Sequence, residues 1–370
     1  MNVLGLIFSS TNKNEQFELA QKRTIASVPV YGRYRLIDFS LSNMVNSNIF
    51  HVGIVTKSNY QSLMDHVGNG REWDLSRKNG GLVILPPYGV SVDFFNSRLE
   101  ALKSIITFIN HAPEEYVLLT DCYHVCNMDY NAIIDNHIKT GADITCVYRE
   151  QVINDSTYKP VKTFNIDEND RIIDLIIDSN HREIAKVSLD IWVMKKELLQ
   201  ELVIDSIVHN LNSFNSDILK ANLNNLKIFG YNFTDYFRDI NSIKTYFDLN
   251  MELLNKDVRS ELFNKEQFPI YTKVRDSSPT KYGMNAKVSN SIIADGCVID
   301  GVIENSIIFR GVKIAPGSVI KNSILMQDTD IRDNCEINYV ITDKNVKVIN
   351  QKEITGSINE PIYIKKNEVK

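Results

Sequence analysis

Residues 290–325 read NSIIADGCVIDGVIENSIIFRGVKIAPGSVIKNSIL, and the word that opens this stretch returns twice within it. Asn290-Ser291-Ile292-Ile293 recurs as Asn305-Ser306-Ile307-Ile308 and, with one change, as Asn322-Ser323-Ile324-Leu325. Aliphatic residues stand at Ile293, Ile299, Ile308, Ile314, Ile320, Leu325, Ile331 and Ile337, in steps of 6, 9, 6, 6, 5, 6 and 6. A period near six belongs neither to a helix nor to an ordinary strand. It marks a parallel β-helix, whose coils have three short sides and whose aliphatics share one core. The scattered aliphatics of a sandwich would not return one word three times. Residues 285–370 are therefore expected to form a β-helix domain of hexapeptide repeats. Such coils can carry acyl-transfer sites, which need a histidine base, but no histidine lies beyond His209. Assembly is the expected role.

Upstream, over residues 1–255, short β-rich runs alternate with amphipathic segments. Val3–Phe8, Val52–Thr56, Leu82–Leu85, Tyr116–Thr120 and Ile144–Tyr148 read as buried strands. Arg98–His111 and Ser242–Leu254 carry apolar residues at helical spacing. This alternation predicts an α/β domain around a doubly wound, mostly parallel sheet, with its ligand site in loops beyond the carboxyl ends of the strands. Residues 256–284 lose periodicity and read as a linker.

Composition narrows the function. With 41 basic against 46 acidic residues, the chain has no electrostatic reason to bind nucleic acid or an anionic membrane. The stretch from Met1 to Phe8 lacks a preceding basic residue, and no window approaches the ~18 apolar residues of a membrane helix; a cytoplasmic location is expected. The five cysteines are odd in number and only Cys122 and Cys126 are close, so reduced, buried thiols are expected rather than a metal site. The histidines show no zinc spacing either.

Longer words carry a resemblance. The segment Pro29-Val30-Tyr31-Gly32-Arg33-Tyr34-Arg35-Leu36-Ile37-Asp38-Phe39-Ser40-Leu41-Ser42-Asn43 resembles P-x-G-G-[KR]-[YF]-R-[LI]-I-D-F-x-L-S-N of the bacterial ADP-glucose pyrophosphorylases, the glucose-1-phosphate adenylyltransferases. Asn127-Met128-Asp129-Tyr130, His137 and Gly141-Ala142-Asp143 are similar to that family's K-M-D-Y…H…G-A-D, and Pro279-Thr280-Lys281-Tyr282-Gly283 to its linker. The resemblance implies a Rossmann-like (GT-A-like) nucleotidyltransferase domain, a left-handed parallel β-helix after it, and tetramers that join glucose 1-phosphate to ATP with release of pyrophosphate. That reaction is an in-line displacement at phosphorus, served by positioning and by charge neutralisation from Mg²⁺ and basic groups.

The same resemblance shows which parts are missing. The family's G-G-x-G-T-R-L loop brings backbone amides close to phosphate; here stand Phe8-Ser9-Ser10-Thr11-Asn12-Lys13-Asn14, without glycine or arginine. Its phosphate lysine in R-A-K-P is replaced within Arg23-Thr24-Ile25-Ala26. Of two metal aspartates, the first falls on Tyr123, a poor Mg²⁺ ligand, and the second survives as Asp239. Asp121 could rescue the first only through a two-residue slip. At the sugar-phosphate subsite the family's lysine and glycine become Asp178 and Asp190, both repelling phosphate, and G-T-A-D-A becomes Ser97-Arg98-Leu99-Glu100-Ala101. Ser9, Ser10, Thr11, Ser97, Tyr123, Asp178 and Asp190 thus outline a vestigial nucleotide and sugar-phosphate pocket. No catalytic residue and no cofactor are expected, with Mg²⁺ and ATP bound only if the pocket stays competent.

Core words kept and chemistry lost describe a regulatory, non-catalytic subunit. The family precedent is a hetero-oligomer, a tetramer, with a catalytic GlgC-type partner whose activity it adjusts. The R-T-I-A-S-[IV]-P-x-x-G-R-Y-R stretch of the family's regulatory branch is matched by Arg23 to Arg35. Arg33 and Arg35 correspond to an effector site for a phosphorylated metabolite, Arg33 being able to grip phosphate bidentately; pairing of Arg35 with Asp38 is the competing role. Weak adenylyltransferase activity of the chain itself is the alternative, and a different sugar-nucleotide enzyme or a pure assembly protein the third.

Overall fold

Val3–Phe8 (β1) is buried at every position, as a strand covered on both faces must be. The computed structural model describes residues 2–9, 17–86, 97–152, 161–179, 184–349 and 352–370, gathered in two units. The first comprises Met1–Asn12, Phe39–Cys122 and Asn127–Asp235, the second Lys13–Asp38, Tyr123–Cys126 and Tyr236–Lys370.

In the first unit β1 is followed by β2 (His51–Val55), β3 (Gly81–Leu85), β4 (Tyr116–Asp121), β5 (Ile144–Val152), β6 (Val161–Ile166), β7 (Ile172–Ser179), β8 (Ile184–Lys195) and β9 (Ile228–Asn232). They form one sheet in the order β7-β6-β8-β4-β1-β2-β3, with β5 pairing both β8 and β9. The pairs β1–β2, β1–β4 and β2–β3 are parallel, as expected for strands joined by crossovers. The rest is mixed: β8 runs antiparallel to β4, β5 and β6. Its register against β5 breaks between Ser188 and Trp192, and within that break Asp190 adopts a left-handed φ of 56°. A bulge of this kind re-aims side chains out of the ladder.

The helix expected over residues 98–111 is divided in two. Arg98–Ser104 (α1) and Ile106–His111 (α2) meet at Ile105, which has φ −108°. Ile105, Ile106 and Thr107 are three consecutive β-branched residues, which crowd the preceding turn and weaken helical geometry. Lys196–Val208 (α3) packs on α1, α2 and β8, burying Leu199, Val203 and Ser206. Apolar residues from one sheet face and these helices, among them Leu4, Leu6, Leu99, Leu102, Leu119 and Trp192, make a core.

The second unit contains three parallel five-stranded ladders, the three sides of a β-helix of hexapeptide repeats. Ile299, Ile314 and Ile331 align in one ladder, Ile303, Ile320 and Ile337 in the next, Ile308 and Leu325 in the third. The repeated word has a physical reason. Asn290, Asn305 and Asn322 turn the corner with φ of 40°, 47° and 44°, a conformation asparagine tolerates better than most residues. Their amides form a ladder, Asn290 Nδ2 donating to Asn305 Oδ1 at 2.7 Å and Asn322 Nδ2 to Asn338 Oδ1 at 2.9 Å. The serine after each asparagine points inward: Ser291 Oγ accepts from the Ser306 N–H, and Ser306 Oγ from the Ser323 N–H, both at 3.1 Å.

Ile243–Glu252 (α4) also belongs to this unit, opened by a capping box between Ser242 and Thr245. Asn250 on its apolar face is buried because its side chain accepts from the Tyr31 N–H at 3.1 Å and donates to the Tyr246 carbonyl at 2.8 Å. Among the described residues no helix is long and apolar enough to cross a membrane, and all five cysteines are buried free thiols.

Candidate functional site

The carboxyl ends of β1 and β4 lie side by side, with Phe8 opposite Asp121. Ser9, next along, is fully buried, and Asp121 is 1% exposed. Asp121 Oδ2 is in an ion pair with Arg98 Nη2, while Oδ1 has no partner among the described residues. Arg98 is the first residue of α1, placed there by the Ser97 cap, whose Oγ accepts from the Glu100 N–H at 3.1 Å. Its guanidinium lies 4.0 Å from the Trp192 ring centroid and 5.1 Å from that of Phe8, and Trp192 is stacked on Phe214 at 4.5 Å. Arg98 Nη1 also donates to the Asp190 carbonyl at 3.2 Å, and the Asp190 carboxylate is paired with Lys162.

Asp121, Arg98, Asp190 and Lys162 therefore form one internal charge chain across the strand ends. Burial pushes the Asp121 pKa up to about 6; Arg98 and Lys162 pull it back, and the charge of Asp190 adds to the rise. The Asp190 repulsion of phosphate expected from sequence is altered by Lys162, which sequence reading missed. Asp178 is a backbone position of β7 whose side chain lies outside the described residues, as do Ser10 and Thr11.

Tyr123 and Asp239 come together in the second unit. His124–Cys126 pairs antiparallel with Phe237–Asp239, Asp239 standing opposite His124, and the Ile240 N–H donates to the Tyr123 carbonyl at 2.8 Å. The His124 ring is stacked on Phe237 at 5.0 Å, a packing role. Mg²⁺ prefers oxygen ligands with near-octahedral geometry, usually including carboxylates. Here one carboxylate and one neutral phenol stand on adjoining segments, and Asp121 already holds a guanidinium, so the donor chemistry does not fit the ion the resemblance implies. Among the described residues no three His, Cys, Asp or Glu side chains gather into a metal-binding group.

Residues 17–256 match the family described as Nucleotidyl transferase, and residues 276–360 that described as GlmU-like, C-terminal hexapeptide. The chain is 33% identical to Glycogen biosynthesis protein GlgD of Bacillus subtilis, over 99% of this chain and 96% of that one. It is 37% identical to Glycogen biosynthesis protein GlgD of Geobacillus stearothermophilus, over 86% of this chain and 82% of the relative. The chain belongs to the GlgD and glucose-1-phosphate adenylyltransferase family. Glucose-1-phosphate adenylyltransferase of Pseudothermotoga lettingae is a further relative, 34% identical over 86% of this chain and 76% of its own.

In this GlgD-like chain the second basic group gathers around the segment that sequence marked with Arg33 and Arg35. Arg33 is exposed, its guanidinium 5.4 Å from the Tyr34 ring centroid. Arg35 is 8% exposed, and its backbone N–H donates to Asp38 Oδ2 at 2.9 Å. Arg23 Nη2 grips both oxygens of Asp343, at 2.7 and 2.6 Å, while Nη1 is buried with no partner among the described residues. Burial first, then Arg35 and Arg23, lower the Lys344 pKa to about 7, with Asp343 opposing and Arg275 adding to the fall. Arg23, Arg35, Arg275 and Lys344 thus share this region with the carboxylates of Asp343 and Asp38. Sequence reading named only Arg35 of them for binding; the others are brought in by the fold from residues 23, 275 and 344.

Proposed function

We propose that this chain is a regulatory, non-catalytic subunit that assembles with a catalytic GlgC-type glucose-1-phosphate adenylyltransferase in glycogen biosynthesis, in the cytoplasm, as a heterotetramer. The observation that carries the reading is that Tyr123, on the segment adjoining the Asp239 strand, is a phenol where the resemblance places the first metal carboxylate. The Arg98 guanidinium on Asp121 supports it, because a metal would have to displace a buried, stacked cation before using that carboxylate. The names of the relatives support a role in the same chemistry, and the intact family words support an intact scaffold.

A phosphorylated metabolite is the effector we assign to the group formed by Arg35, Arg23 and Lys344. Buried cations in excess over carboxylates are stabilised by a bound anion, and guanidinium groups suit phosphate oxygens. Arg33, exposed beside this segment, is the fourth donor in the proposal.

The test is pyrophosphate release from ATP, Mg²⁺ and glucose 1-phosphate. The purified chain alone is expected to show none above background, and its addition to the catalytic subunit to change that subunit's rate or effector response. Turnover by the chain alone at ordinary enzymatic rates, about 1–10³ s⁻¹, would overturn the reading.

A further inference from the structure

The outer face of α3 carries Ile204, Ile207 and Val208, which are 51%, 48% and 69% exposed. Their spacing of i, i+3 and i+4 places them in one stripe, opposite the buried Leu199, Val203 and Ser206. Single exposed aliphatics are ordinary, whereas a stripe of three β-branched residues on one helix is a surface awaiting a cover. Glu197, Glu201 and Asp205, each four residues apart, run as an acidic stripe beside it. The one lysine of the helix, Lys196, donates its ammonium inward to the Ala112 carbonyl at 2.5 Å, so it does not offset those acids on the outer face; His209 stands against Asp205 at 3.0 Å, which leaves Glu197 and Glu201 as the main charges of the stripe.

We propose that this face of α3 docks a partner surface of apolar residues bordered by lysine or arginine, and that the partner is the catalytic subunit. The identity of the partner rests on the function proposed above; the chemistry of the surface does not. Charge complementarity selects the occupant. A second copy meeting this face antiparallel, about a two-fold axis perpendicular to the helix, would bring acidic stripe against acidic stripe, whereas a basic rim satisfies it. The inner face of α3 packs on α1 and β8, the elements that carry Arg98, Asp190 and Trp192, so docking here bears directly on the charge chain at the strand ends.

Association of the full-length chain with the glucose-1-phosphate adenylyltransferase of the same cell, followed by sedimentation, tests this. The parent affinity is expected to weaken as NaCl rises from roughly 50 to 300 mM. Ile207→Asp with Val208→Asp should weaken it by about 30-fold or more, and Glu201→Lys by about tenfold with a shallower salt dependence. Both sets of changes lie on an exposed face, and unchanged thermal midpoints show that folding is intact. Association within twofold of the parent in both variants, or tighter association of Glu201→Lys, overturns the surface while leaving the regulatory reading standing. Loss in the variants of a self-association shown by the chain alone overturns it in favour of a second copy. A parent that does not associate with the catalytic chain at all overturns the regulatory reading and the partner together.

Discussion

Asp239 and Tyr123 stand on adjoining antiparallel segments, tied by the hydrogen bond from the Ile240 N–H to the Tyr123 carbonyl. A carboxylate at position 123 would place a second acidic residue on the segment adjoining Asp239. Tyr123→Asp restores the carboxylate that the resemblance places there and should gain a divalent-cation site that the parent lacks. Calorimetric titration with Mn²⁺ is expected to give saturable binding, at roughly millimolar affinity for a two-carboxylate, water-completed site, in the variant and none in the parent. Pyrophosphate release should remain absent, because residues 9–14 still lack the glycines that allow close approach to phosphate. Equal Mn²⁺ binding by both proteins would show that the phenol was not what excluded the ion.

Arg98 neutralises an acid that burial has already weakened. A raised Asp pKa means that the folded chain binds a proton more readily than the unfolded one, so this group costs stability as pH rises from the unfolded value toward about 6. Below the unfolded value the cost is absent, and above about 6 it is fully present. In Arg98→Ala the Asp121 pKa should rise further, extending the loss to higher pH. Urea unfolding of parent and variant is expected to give a stability difference that widens between about pH 6 and 8, reaching about 3 kcal/mol. A difference independent of pH would mean that Arg98 acts through packing on Trp192 alone.

The two halves of the fold were legible for different reasons. The β-helix announces itself because every coil must put an aliphatic inward and turn a corner after it, so Asn290, Asn305 and Asn322 recur with their serines. The parallel strands β1, β2 and β4 were legible because burial on both faces makes them short apolar runs. The mixed part was not: β8 gains its direction from pairing with β4 and β5, a long-range choice that leaves no local signature. The charge chain was hidden for the same reason. Arg98 and Asp121 are ordinary polar residues in their own segments, and only the closure of α1 over the ends of β1 and β4 makes them partners. Arg23 and Asp343 are 320 residues apart, so no window of sequence could join them; the arginine was legible only as part of a family word.

That pair predicts a large effect. Both side chains are nearly inaccessible, at 5% and 3%, and Asp343 also accepts from Tyr363 Oη at 2.9 Å. Arg23→Ala leaves a buried carboxylate without its cation, which should cost about 3–5 kcal/mol in urea unfolding. Lysine cannot offer the same planar fork, so Arg23→Lys should recover less than half of the loss. Full recovery by lysine would show that charge alone, without guanidinium geometry, holds the N-terminal segment to the coil.

Lys344 gives the effector proposal a pH signature. A lysine whose folded pKa is lowered to about 7 is charged below that value and largely neutral above it, while the unfolded chain keeps its lysine charged to about 10.4. The folded state is therefore penalised below the unfolded pKa, and the penalty fades as pH rises from about 7 toward 10. An anion reverses that preference by stabilising the charged form, so binding should take up a proton and weaken as Lys344 loses its own. Sulfate is the right probe, because its charge is constant over this range whereas phosphate titrates. Its affinity for the parent is expected to fall about tenfold, or ~1.4 kcal/mol, from pH 6 to pH 8.5. Lys344→Met should bind sulfate weakly at both pH values and with no such slope, and Arg35→Met should bind weakly with its slope moved to higher pH, because Arg35 helps to lower the Lys344 pKa. A slope that survives in Lys344→Met would assign the proton to another group and remove Lys344 from the site.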